Sequence, residues 1–269
     1  MTTQEILVVK IGGAEGIDHA ACAADLAAIA DRRPLVVVHG VSAAVNALCA
    51  ERGVPVRMLT SPTGHSSRYT NPQTRDLYVE AAESVNRALT GHLTALGIAA
   101  EGLTGANIPL LGERKSAIRA LVDGRVRIIR DDYSGSITGV DVVRVLRALT
   151  RGSVAVVPPL AASADGLLNV DGDRAGAAVA AALGASDYVI LSGVRGLYRR
   201  FPDESSFVPR VNRDELDSAL DWAQGRMKRK VIGASEALSN GVQRVIIADG
   251  RVHMPVRAAL GGHGTEFLR

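Results

Sequence analysis

The sequence predicts an α/β protein with a mainly parallel sheet that helices cover on both faces. Short apolar runs rich in β-branched residues alternate with longer helical patterns along the 269-residue chain. Continuous apolar strands separated by helices are typical of parallel strands that are buried on both sides. Apolar residues make up 47% of the chain and aromatic residues only 3%, which predicts a core of Ala, Val, Leu and Ile. This length allows one large domain or two lobes that share a sheet.

The strands of this sheet and the helices that cover it can be placed along the chain. Apolar runs bounded by turn residues predict strands over residues 6–9, 35–38, 154–157, 188–191 and 245–247. Helical patterns predict helices over residues 17–30, 43–51, 74–96, 140–149, 174–183 and 227–239. The helix over 174–183 is rich in alanine, so it can pack closely against its neighbours. We expect a boundary between two lobes near Gly184, after this helix.

A β-hairpin interrupts the parallel pattern in the middle of the chain. Two alternating runs between residues 115 and 129 flank Asp123-Gly124, a strong sequence signal for a hairpin turn. The basic residues of this hairpin segment form either a docking surface for an acidic partner or a charged strand edge that resists pairing with other chains. The basic residues of the segment are Arg114, Lys115, Arg119, Arg125, Arg127 and Arg130.

Charge and cysteine content limit the partners and the compartment. The net charge of +3 permits an acidic ligand but is too small for a typical nucleic-acid-binding protein. Cys22 and Cys49 lie in helical patterns and are expected to be buried thiols, which favours a reducing cytoplasm. We expect neither a signal peptide nor a membrane helix, because no apolar run is long enough and the first residues are polar.

Two predicted strands end in glycine-containing loops that suit phosphate groups. Lys10 lies at the end of the first strand and is followed by Gly12 and Gly13, while the second strand leads into Gly40 and Val41. Glycine lacks a Cβ atom, so its backbone N–H group can approach an anion closely, and the lysine adds a positive charge. Such loops at helix starts are typical of phosphate sites, although the same residues also form ordinary tight turns.

Two more charged segments lie at predicted helix starts. Asp173 lies at or near the start of the alanine-rich helix, where it is either the N-cap or a functional carboxylate. The segment from Arg226 to Lys230 begins another helix with several cations, among them Lys228. Cations at this end oppose the helix dipole and destabilise the helix unless an anion binds there. Lys228 and Lys230 are therefore candidates for anion binding.

Several segments form one ordered set of motifs along the chain. They are Lys10-Ile11-Gly12-Gly13, His39-Gly40, Ser67-Arg68-Tyr69-Thr70, Asn169-Val170-Asp171-Gly172-Asp173, Leu191-Ser192-Gly193-Val194-Arg195-Gly196-Leu197 and Gly225-Arg226-Met227-Lys228-Arg229-Lys230-Val231. This set resembles the amino-acid kinase superfamily, and within it the N-acetylglutamate kinase type, over essentially the whole chain. The segments starting at Ser67, Arg114, Asp132 and Ala223 make it most similar to kinases that act on aminoadipate or glutamate carried by an amino-group carrier protein.

The resemblance implies an open αβα sandwich in two lobes, with the hairpin inserted. Residues 1–184 would form the N-terminal lobe, which binds the acceptor carboxylate and forms a homodimer, and residues 185–269 the lobe that binds ATP. The reaction would transfer the γ-phosphoryl group of ATP to a side-chain carboxylate and give an acyl phosphate. The partner would be a small acidic carrier protein that bears the substrate. Mg²⁺ would enter with ATP, bound by phosphates and water rather than by protein ligands.

The resemblance also implies roles for individual residues. Lys10 and Lys230 would stabilise the transferring phosphoryl group, and Asp173 would orient both lysines. The remaining roles are phosphate binding by Gly12, Gly13, Gly40 and Val41, acceptor binding by Arg68 and Asn169, nucleotide binding by Ser192, Gly193, Gly196, Tyr198 and Lys228, and carrier docking by Lys115, Arg119, Arg125 and Arg127. His65 and Ser66 lie beside Arg68 and are weaker candidates for contact with the linked substrate.

Two departures from the family pattern and two alternative functions stay open at this stage. Val41 occupies a position where the family usually has glycine, and Gly193 one where it often has Asp or Asn. One alternative is a kinase of free N-acetylglutamate. The other is a catalytically silent sensor, which the intact Lys10, Asp173 and Lys230 disfavour. Glutamate and aminoadipate differ by one methylene, and the sequence does not distinguish them.

Overall fold

The computed structural model describes residues 5–62, 64, 66–122 and 124–269. Its strands are β1 (Leu7–Ile11), β2 (Leu35–His39), β3 (Met58–Thr60), β4 (Ser66–Arg68), β5 (Ala100–Gly102), β6 (Leu110–Arg114), β7 (Ile118–Val122), β8 (Arg125–Ile129), β9 (Gly135–Val140), β10 (Val154–Val157), β11 (Leu160–Ser163), β12 (Gly166–Asn169), β13 (Asp187–Ser192), β14 (Leu197–Tyr198), β15 (Phe207–Val208), β16 (Arg210–Val211), β17 (Arg244–Asp249) and β18 (Thr265–Leu268). Its helices are α1 (His19–Ala30), α2 (Ser42–Glu51), α3 (Pro72–Ala95), α4 (Val142–Thr150), α5 (Gly172–Ala182), α6 (Leu216–Trp222), α7 (Arg226–Ser239) and α8 (Pro255–Leu260).

An eight-stranded sheet forms the centre of the fold, in the order β16-β18-β17-β13-β1-β2-β10-β5. Every neighbouring pair in this sheet is parallel except β17 and β18. The prediction of a mainly parallel α/β sheet is therefore confirmed. The same sheet runs past the expected lobe boundary near Gly184, because β1 pairs directly with β13. Gly184 itself follows the end of α5 with φ +60°, a conformation that glycine adopts without steric cost.

Helices cover both faces of the central sheet and enclose two apolar cores. Leu7, Val9 and Ile11 of β1 belong to the core under α1 and α8, whereas Val8 belongs to the core under α5 and α7. Because side chains alternate along a strand, Lys10 projects from the same face as Val8, toward α5 and α7. This placement brings a lysine from the first strand of the chain to helices that come much later in the sequence.

The predicted elements are present with small shifts at their ends. The five predicted strands correspond to β1, β2, β10, β13 and β17, and the six predicted helices to α1 to α5 and α7. Local sequence patterns do not identify α6, α8, the strands β5, β16 and β18 of the central sheet, or the short strands of the smaller sheets outside the hairpin. These elements have at most seven residues, which is too short for a clear hydrophobic period.

The inserted hairpin is present as β7 and β8, which pair in antiparallel register. Gly124 has φ +72° in its turn, while Asp123 lies outside the described residues. The hairpin belongs to a separate four-stranded sheet in the order β4-β3-β7-β8, so β8 is an edge strand. Strand β4, which ends at Arg68, is at the opposite edge of this sheet.

The structure also bears on the cysteine and membrane predictions. Cys22 and Cys49 are both fully buried free thiols, as expected. Burial raises the pKa of Cys22 to about 12, so this thiol stays protonated. Across residues 5–62, 64, 66–122 and 124–269, no helix combines the length and the apolar character needed to cross a membrane.

Candidate active site

The candidate site lies at the carboxyl ends of three adjacent parallel strands. Ile11 of β1 is in register with His39 of β2 and with Leu191 of β13. The loops that follow are joined by backbone hydrogen bonds, from Gly12 N–H to the Leu191 carbonyl at 3.0 Å and from Gly40 N–H to the Ile11 carbonyl at 2.8 Å. Parallel sheets bind ligands at this edge, so three of the predicted ligand-binding loops meet where a ligand is expected.

Gly13 and Gly40 bring the first two loops into direct backbone contact, and we call this pair of contacting loops the Gly13–Gly40 cradle. A Cβ atom on Gly13 would lie 2.1 Å from the Gly40 carbonyl carbon, and one on Gly40 would lie 2.4 Å from the Gly13 nitrogen. Neither position accepts a side chain without moving the backbone. The Ala43 N–H group also donates to the Gly13 carbonyl at 2.7 Å, which ties this cradle to the first turn of α2.

Val41 closes the cradle at the start of α2 without straining it. Its φ of −137° is available to any residue, and its side chain is buried in the apolar core. The valine Cβ is therefore accommodated where the family usually has glycine. The Ala43 N–H group is taken by the Gly13 carbonyl, but no side chain among the described residues caps the start of α2. The other N–H groups of its first turn therefore remain available to an anion.

Asp173 lies between the two lysines that the sequence analysis selected. Its Oδ1 atom is 2.7 Å from Lys10 Nζ, and its Oδ2 atom is 2.9 Å from Lys230 Nζ. The three side chains are only 8%, 8% and 12% exposed for Asp173, Lys10 and Lys230, respectively. Residues far apart in the chain thus form one buried cluster of two ammonium groups and one carboxylate.

Asp173 is available for this contact because a different residue caps α5. Asp171 is the N-cap, and its Oδ1 atom accepts the N–H groups of Asp173 and Arg174 at 3.0 and 3.1 Å. The interpretation of Asp173 as the N-cap is therefore wrong. Asp173 is the second residue of the helix, and its carboxylate contacts Lys10 and Lys230 instead of capping the helix.

Close packing between helices brings Lys230 to the same carboxylate. Gly233, one turn after Lys230 on α7, would place a Cβ atom only 3.2 Å from the Asp173 carbonyl oxygen. Behind Asp173, the Tyr188 hydroxyl donates to the Asp173 carbonyl at 2.7 Å. Gly176 makes room for that ring, since a Cβ there would lie 2.3 Å from the Tyr188 oxygen. Two glycines and one tyrosine therefore set the distance between α5, α7 and β13.

The charges of the cluster influence one another strongly. Burial raises the pKa of Asp173, but the positive charges of Lys10 and Lys230 overcome this effect and hold the pKa well below its usual range. Burial lowers the pKa of Lys230, Asp173 raises it, and Lys10 lowers it again, with a net decrease. The carboxylate is therefore ionised at neutral pH and keeps two cations close together.

The two predicted acceptor-binding residues, Arg68 and Asn169, lie close to each other. Arg68 Nη2 donates to Asn46 Oδ1 at 2.6 Å, while its Nη1 atom is buried and has no hydrogen-bond partner among the described residues. Burial lowers the pKa of Arg68. Asn169 Nδ2 donates to Thr70 Oγ1 at 2.9 Å, and Thr70 is two residues after Arg68. A buried guanidinium nitrogen without a partner is what a carboxylate ligand would satisfy.

Four of the predicted nucleotide-binding residues lie between the end of β13 and β14. Ser192 is buried at the end of this strand, whereas Gly193 is exposed and has open space where a side chain would lie. Gly196 is required by packing, because its Cβ would lie 2.4 Å from Thr265 Oγ1. The Tyr198 hydroxyl is 3.0 Å from a carboxylate oxygen of Glu204.

Lys228 is exposed in the first turns of α7. Gly225, the N-cap of this helix, has φ +52° and offers no capping side chain. The first turn also contains no acidic residue. The start of α7 therefore combines a positive dipole end with cations, as the sequence analysis expected of an anion-binding helix start.

The cations of the hairpin divide between two faces of its sheet. Leu121 on β7 lies opposite Thr60 on β3. Arg68 on β4 lies opposite Met58, also on β3. Because side chains alternate along each strand, Arg119 is on the same face as Arg68. Ile128 lies opposite Arg119 and is 56% exposed, so this face is open to solvent and partly apolar.

Arg125 and Arg127 project from the other face of the hairpin. Arg127 lies opposite Ala120, which is fully buried, so this second face is partly covered by the protein. Both arginines also belong to the edge strand β8, where charged side chains resist pairing with other strands. Lys115 precedes β7, and its N–H group donates to the Ser134 carbonyl at 3.2 Å. The four predicted docking residues therefore do not share one surface.

The remaining residues near the site are the two weaker candidates and three residues without a predicted role. His65 lies outside the described residues, and the Ser66 carbonyl accepts a hydrogen bond from Arg229 on α7. Arg229 lies within the predicted motif over residues 225–231 but has no role assigned there, and the exposed Asn46 of α2 has no local sequence pattern that predicts one. His39 is fully buried, and burial lowers its pKa to about 3, so the ring is neutral.

Comparison with known proteins identifies what this chain resembles. Residues 5–249 match the model of the amino acid kinase family. A [LysW]-aminoadipate kinase from Deinococcus radiodurans is 40% identical over 97% of this chain and 90% of its own length. A second [LysW]-aminoadipate kinase, from Thermus thermophilus, is 41% identical over 97% of this chain and 99% of its own length.

Solved structures share the fold at lower sequence identity. N-acetylglutamate synthase from Neisseria gonorrhoeae superposes with a TM-score of 0.80 at 24% identity. The match covers 98% of this chain but only 59% of the synthase chain. Carbamate kinase from Giardia lamblia gives a TM-score of 0.68 at 16% identity and is covered over its whole length. These likenesses concern the αβα architecture alone.

Proposed function

Because the chain belongs to the amino acid kinase family, we propose that it is an ATP-dependent kinase of a carrier-bound amino acid. It phosphorylates the side-chain carboxylate of glutamate or 2-aminoadipate attached to a LysW-type amino-group carrier protein, and the product is an acyl phosphate. The relatives at 40% and 41% identity are both named [LysW]-aminoadipate kinase, which supports this proposal. The observation that carries the proposal is the buried contact of Asp173 with both Lys10 and Lys230.

The lysine cluster suits phosphoryl transfer between two anions. The acceptor carboxylate and the γ-phosphate repel each other, so the site must cancel their charge and hold them in line. Lys10, beside the Gly13–Gly40 cradle, would contact the transferring group from the side of the acceptor. Lys230 would contact it from the side of the leaving ADP. The acceptor needs no general base, since a carboxylate is already ionised at neutral pH. The neutral, buried His39 is consistent with this mechanism.

Asp173 would prepare the site before the substrates arrive. Two ammonium groups repel each other, and a carboxylate between them lowers that repulsion. The N–H groups of Gly12 and Gly40 already donate to the Leu191 and Ile11 carbonyls, so these two predicted donors serve to shape the loops. The backbone N–H groups of Gly13 and Val41 would donate to the phosphate oxygens. Donors fixed in this way each contribute on the order of 3 kcal/mol to transition-state stabilisation, because they need no reorganisation during the reaction.

The acceptor and the nucleotide would bind on either side of the cluster. Arg68 and Asn169 would hold the substrate, with the unpartnered Nη1 of Arg68 directed at a carboxylate. The residues proposed to bind ATP are Ser192, Gly193, Gly196, Tyr198 and Lys228. We propose that Mg²⁺ arrives with ATP and is held by its phosphates and by water. The described part of the chain contains no group of three or more His, Cys, Asp or Glu residues placed to hold a metal.

The carrier would dock on the open face of the hairpin sheet. A carrier-bound substrate must reach Arg68 from outside, and Arg119 is on the same face of that sheet. A cation there would attract an acidic carrier and orient it during association. Arg125 and Arg127 are on the other face and on the edge strand, so we assign them mainly to protection of that edge.

The lobe assignment, the dimer and the location are further parts of the proposal. Residues 1–184 would bind the acceptor and residues 185–269 would bind ATP, although both contribute strands to one sheet. We propose a homodimer through the N-terminal lobes, which sedimentation equilibrium would test directly. We place the reaction in the cytoplasm, where ATP is available and the thiols of Cys22 and Cys49 stay reduced.

Trapping of the product with hydroxylamine tests the proposed reaction, because an acyl phosphate gives a hydroxamate. The purified chain is supplied with ATP, Mg²⁺ and either the carrier conjugate or free N-acetylglutamate. We expect hydroxamate with glutamate or aminoadipate on the carrier and none with free N-acetylglutamate. Turnover of the free amino acid alone would instead identify an N-acetylglutamate kinase. Failure with both acceptors would favour a non-catalytic sensor.

A further inference from the structure

We infer that Thr70 is a positioning residue that fixes Arg68 and Asn169 relative to each other for the acceptor carboxylate. The inference rests on the proposed function and assigns a task to a residue that does not itself contact the reacting atoms. Thr70 follows strand β4 and is fully buried. A buried threonine in a loop must satisfy its hydroxyl and both backbone polar groups within the protein.

The Thr70 hydroxyl links the two acceptor-binding residues. It donates to the Arg68 carbonyl at 3.1 Å and accepts from Asn169 Nδ2 at 2.9 Å. Donation to the Arg68 carbonyl leaves the hydroxyl lone pairs free for Asn169, so the two hydrogen bonds support each other. They hold the amide of Asn169, at the end of β12, beside the backbone of Arg68, at the end of β4. The hydroxyl is therefore a direct link between two separate strands.

The backbone of Thr70 is held just as firmly. Its N–H group donates to Oδ2 of the fully buried Asp132 at 2.8 Å. Its carbonyl accepts the N–H group of Tyr133 at 2.7 Å. The other carboxylate oxygen of Asp132 accepts the Ser134 N–H group at 2.7 Å. All the polar groups of Thr70 are thus paired, and two of them are paired with the segment that follows the hairpin.

This segment also connects Thr70 to the end of β6, the strand that precedes the hairpin. The guanidinium of Arg114 lies 4.0 Å from the centre of the Tyr133 ring, and its Nε donates to the Asp132 carbonyl at 2.9 Å. The segment from Asp132 to Ser134 therefore joins the end of β6 to the residues that follow Arg68 at the end of β4. A small displacement of Thr70 would move Arg68 and Asn169 apart, and a carboxylate could then not bind both residues in one geometry.

Two substitutions at this position separate the hydroxyl from the shape of the side chain. Thr70→Val keeps the volume but removes the hydroxyl, while Thr70→Ser keeps the hydroxyl. Loss of a buried hydrogen-bond partner leaves Asn169 Nδ2 unsatisfied, and we expect KM for the carrier conjugate to rise about tenfold in Thr70→Val. We expect KM for ATP to stay within about twofold, because the nucleotide residues are elsewhere, and Thr70→Ser to restore KM for the conjugate to within about threefold of wild type.

Thr265 provides a matched control in the C-terminal lobe. It is also fully buried, and its hydroxyl likewise accepts one hydrogen bond, from Leu197 N–H at 2.8 Å, and donates one, to the Val208 carbonyl at 2.6 Å. Thr265→Val should lower thermal stability like Thr70→Val. At saturating ATP it should leave KM for the conjugate unchanged, because its hydroxyl contacts Leu197 and Val208 and neither Arg68 nor Asn169.

The outcomes distinguish this inference from the proposed function. If the wild-type chain does not phosphorylate the conjugate, the proposed function fails before any variant is compared. If the wild type is active and Thr70→Val keeps its KM for the conjugate, the positioning role is wrong. An equal rise in that KM for Thr265→Val would also overturn it, because general loosening of the fold would then explain both results.

Discussion

Replacement of Asp173 by asparagine tests the central cluster, since it removes one charge and almost no volume. The carboxylate contacts Lys10 at 2.7 Å and Lys230 at 2.9 Å, and both ammonium groups are nearly buried. In Asp173→Asn they would face each other without a counterion. Removal of one partner from a buried ion pair typically lowers the free energy of unfolding by about 3–5 kcal/mol. We therefore expect a loss of about 3 kcal/mol at pH 7 and a kcat lowered about 10²- to 10³-fold.

The loss of stability should depend on pH in a defined direction. Asp173 raises the pKa of Lys230 against the effect of burial, so its removal lowers that pKa further. The unfolded lysine keeps a pKa of about 10.4 and then binds more protons than the folded one over a wide range of pH. Stability rises with pH wherever the unfolded state binds more protons. The wild-type Lys230 pKa is also lowered by burial, so the deficit shrinks over the interval between the Lys230 pKa of Asp173→Asn and that of the wild type. Within that interval Asp173→Asn should recover toward the wild type as pH rises, by up to about 1.4 kcal/mol per pH unit for one proton.

Urea unfolding of both proteins at pH 7 and at mildly alkaline pH measures this difference. Asp187 supplies a matched control, because its carboxylate is also buried and contacts two cations, Arg33 at 2.9 Å and Arg244 at 2.8 Å. Arginine does not lose its proton in this range, so Asp187→Asn should be destabilised equally at both pH values. Our account of the cluster would be refuted if the deficit of Asp173→Asn did not shrink with pH, or if Asp187→Asn recovered as much.

Three further predictions concern catalysis, docking and packing. Lys10→Ala should abolish turnover while circular dichroism stays native, and retention of more than about a tenth of kcat would contradict its role. Arg119→Glu should raise KM for the carrier conjugate several-fold at low salt, because it reverses a charge on the proposed docking face. Arg127→Glu, on the opposite face, is the control and should have a weaker effect. Equal effects of the two substitutions would contradict the assignment of docking to the face that carries Arg119. Asp25→Asn should lower the free energy of unfolding by about 2 kcal/mol in urea but leave KM unchanged, because its buried carboxylate accepts the Val256 and Arg257 N–H groups of α8.

The main sheet could be predicted because its strands are continuous apolar runs. β10 lies over Val154–Val157, the predicted range, and the ends of the other main strands moved by at most two residues. Short elements such as α6 and α8 could not be identified, because tertiary contacts rather than a local period hold them. The buried Asp25, for example, binds the start of α8 from a position more than 200 residues earlier in the chain.

The same distinction applies to the site: some of its residues have a local sequence pattern, and others are identified only by contacts between distant segments. The glycines of the phosphate loops could be selected because a tight turn after a strand has a local pattern. The partners of Arg68 could not, since Asn46 is an ordinary helix position that becomes relevant only when α2 lies beside β4. The hairpin cations could not be assigned to one face or the other from the sequence. That assignment depends on the register of β7 with β3, which is a pairing between distant segments.

Asp173 shows most clearly where a sequence argument needs the structure. An aspartate at a helix start is most simply an N-cap, and the sequence offers two aspartates two positions apart. Only one of them can bind the free N–H groups, and the backbone geometry gives that task to Asp171. The second carboxylate would then be costly to bury alone. Its burial is possible because Gly233 lets α7 approach and Lys230 arrives with it, so the same packing that closes the core also assembles the charged cluster.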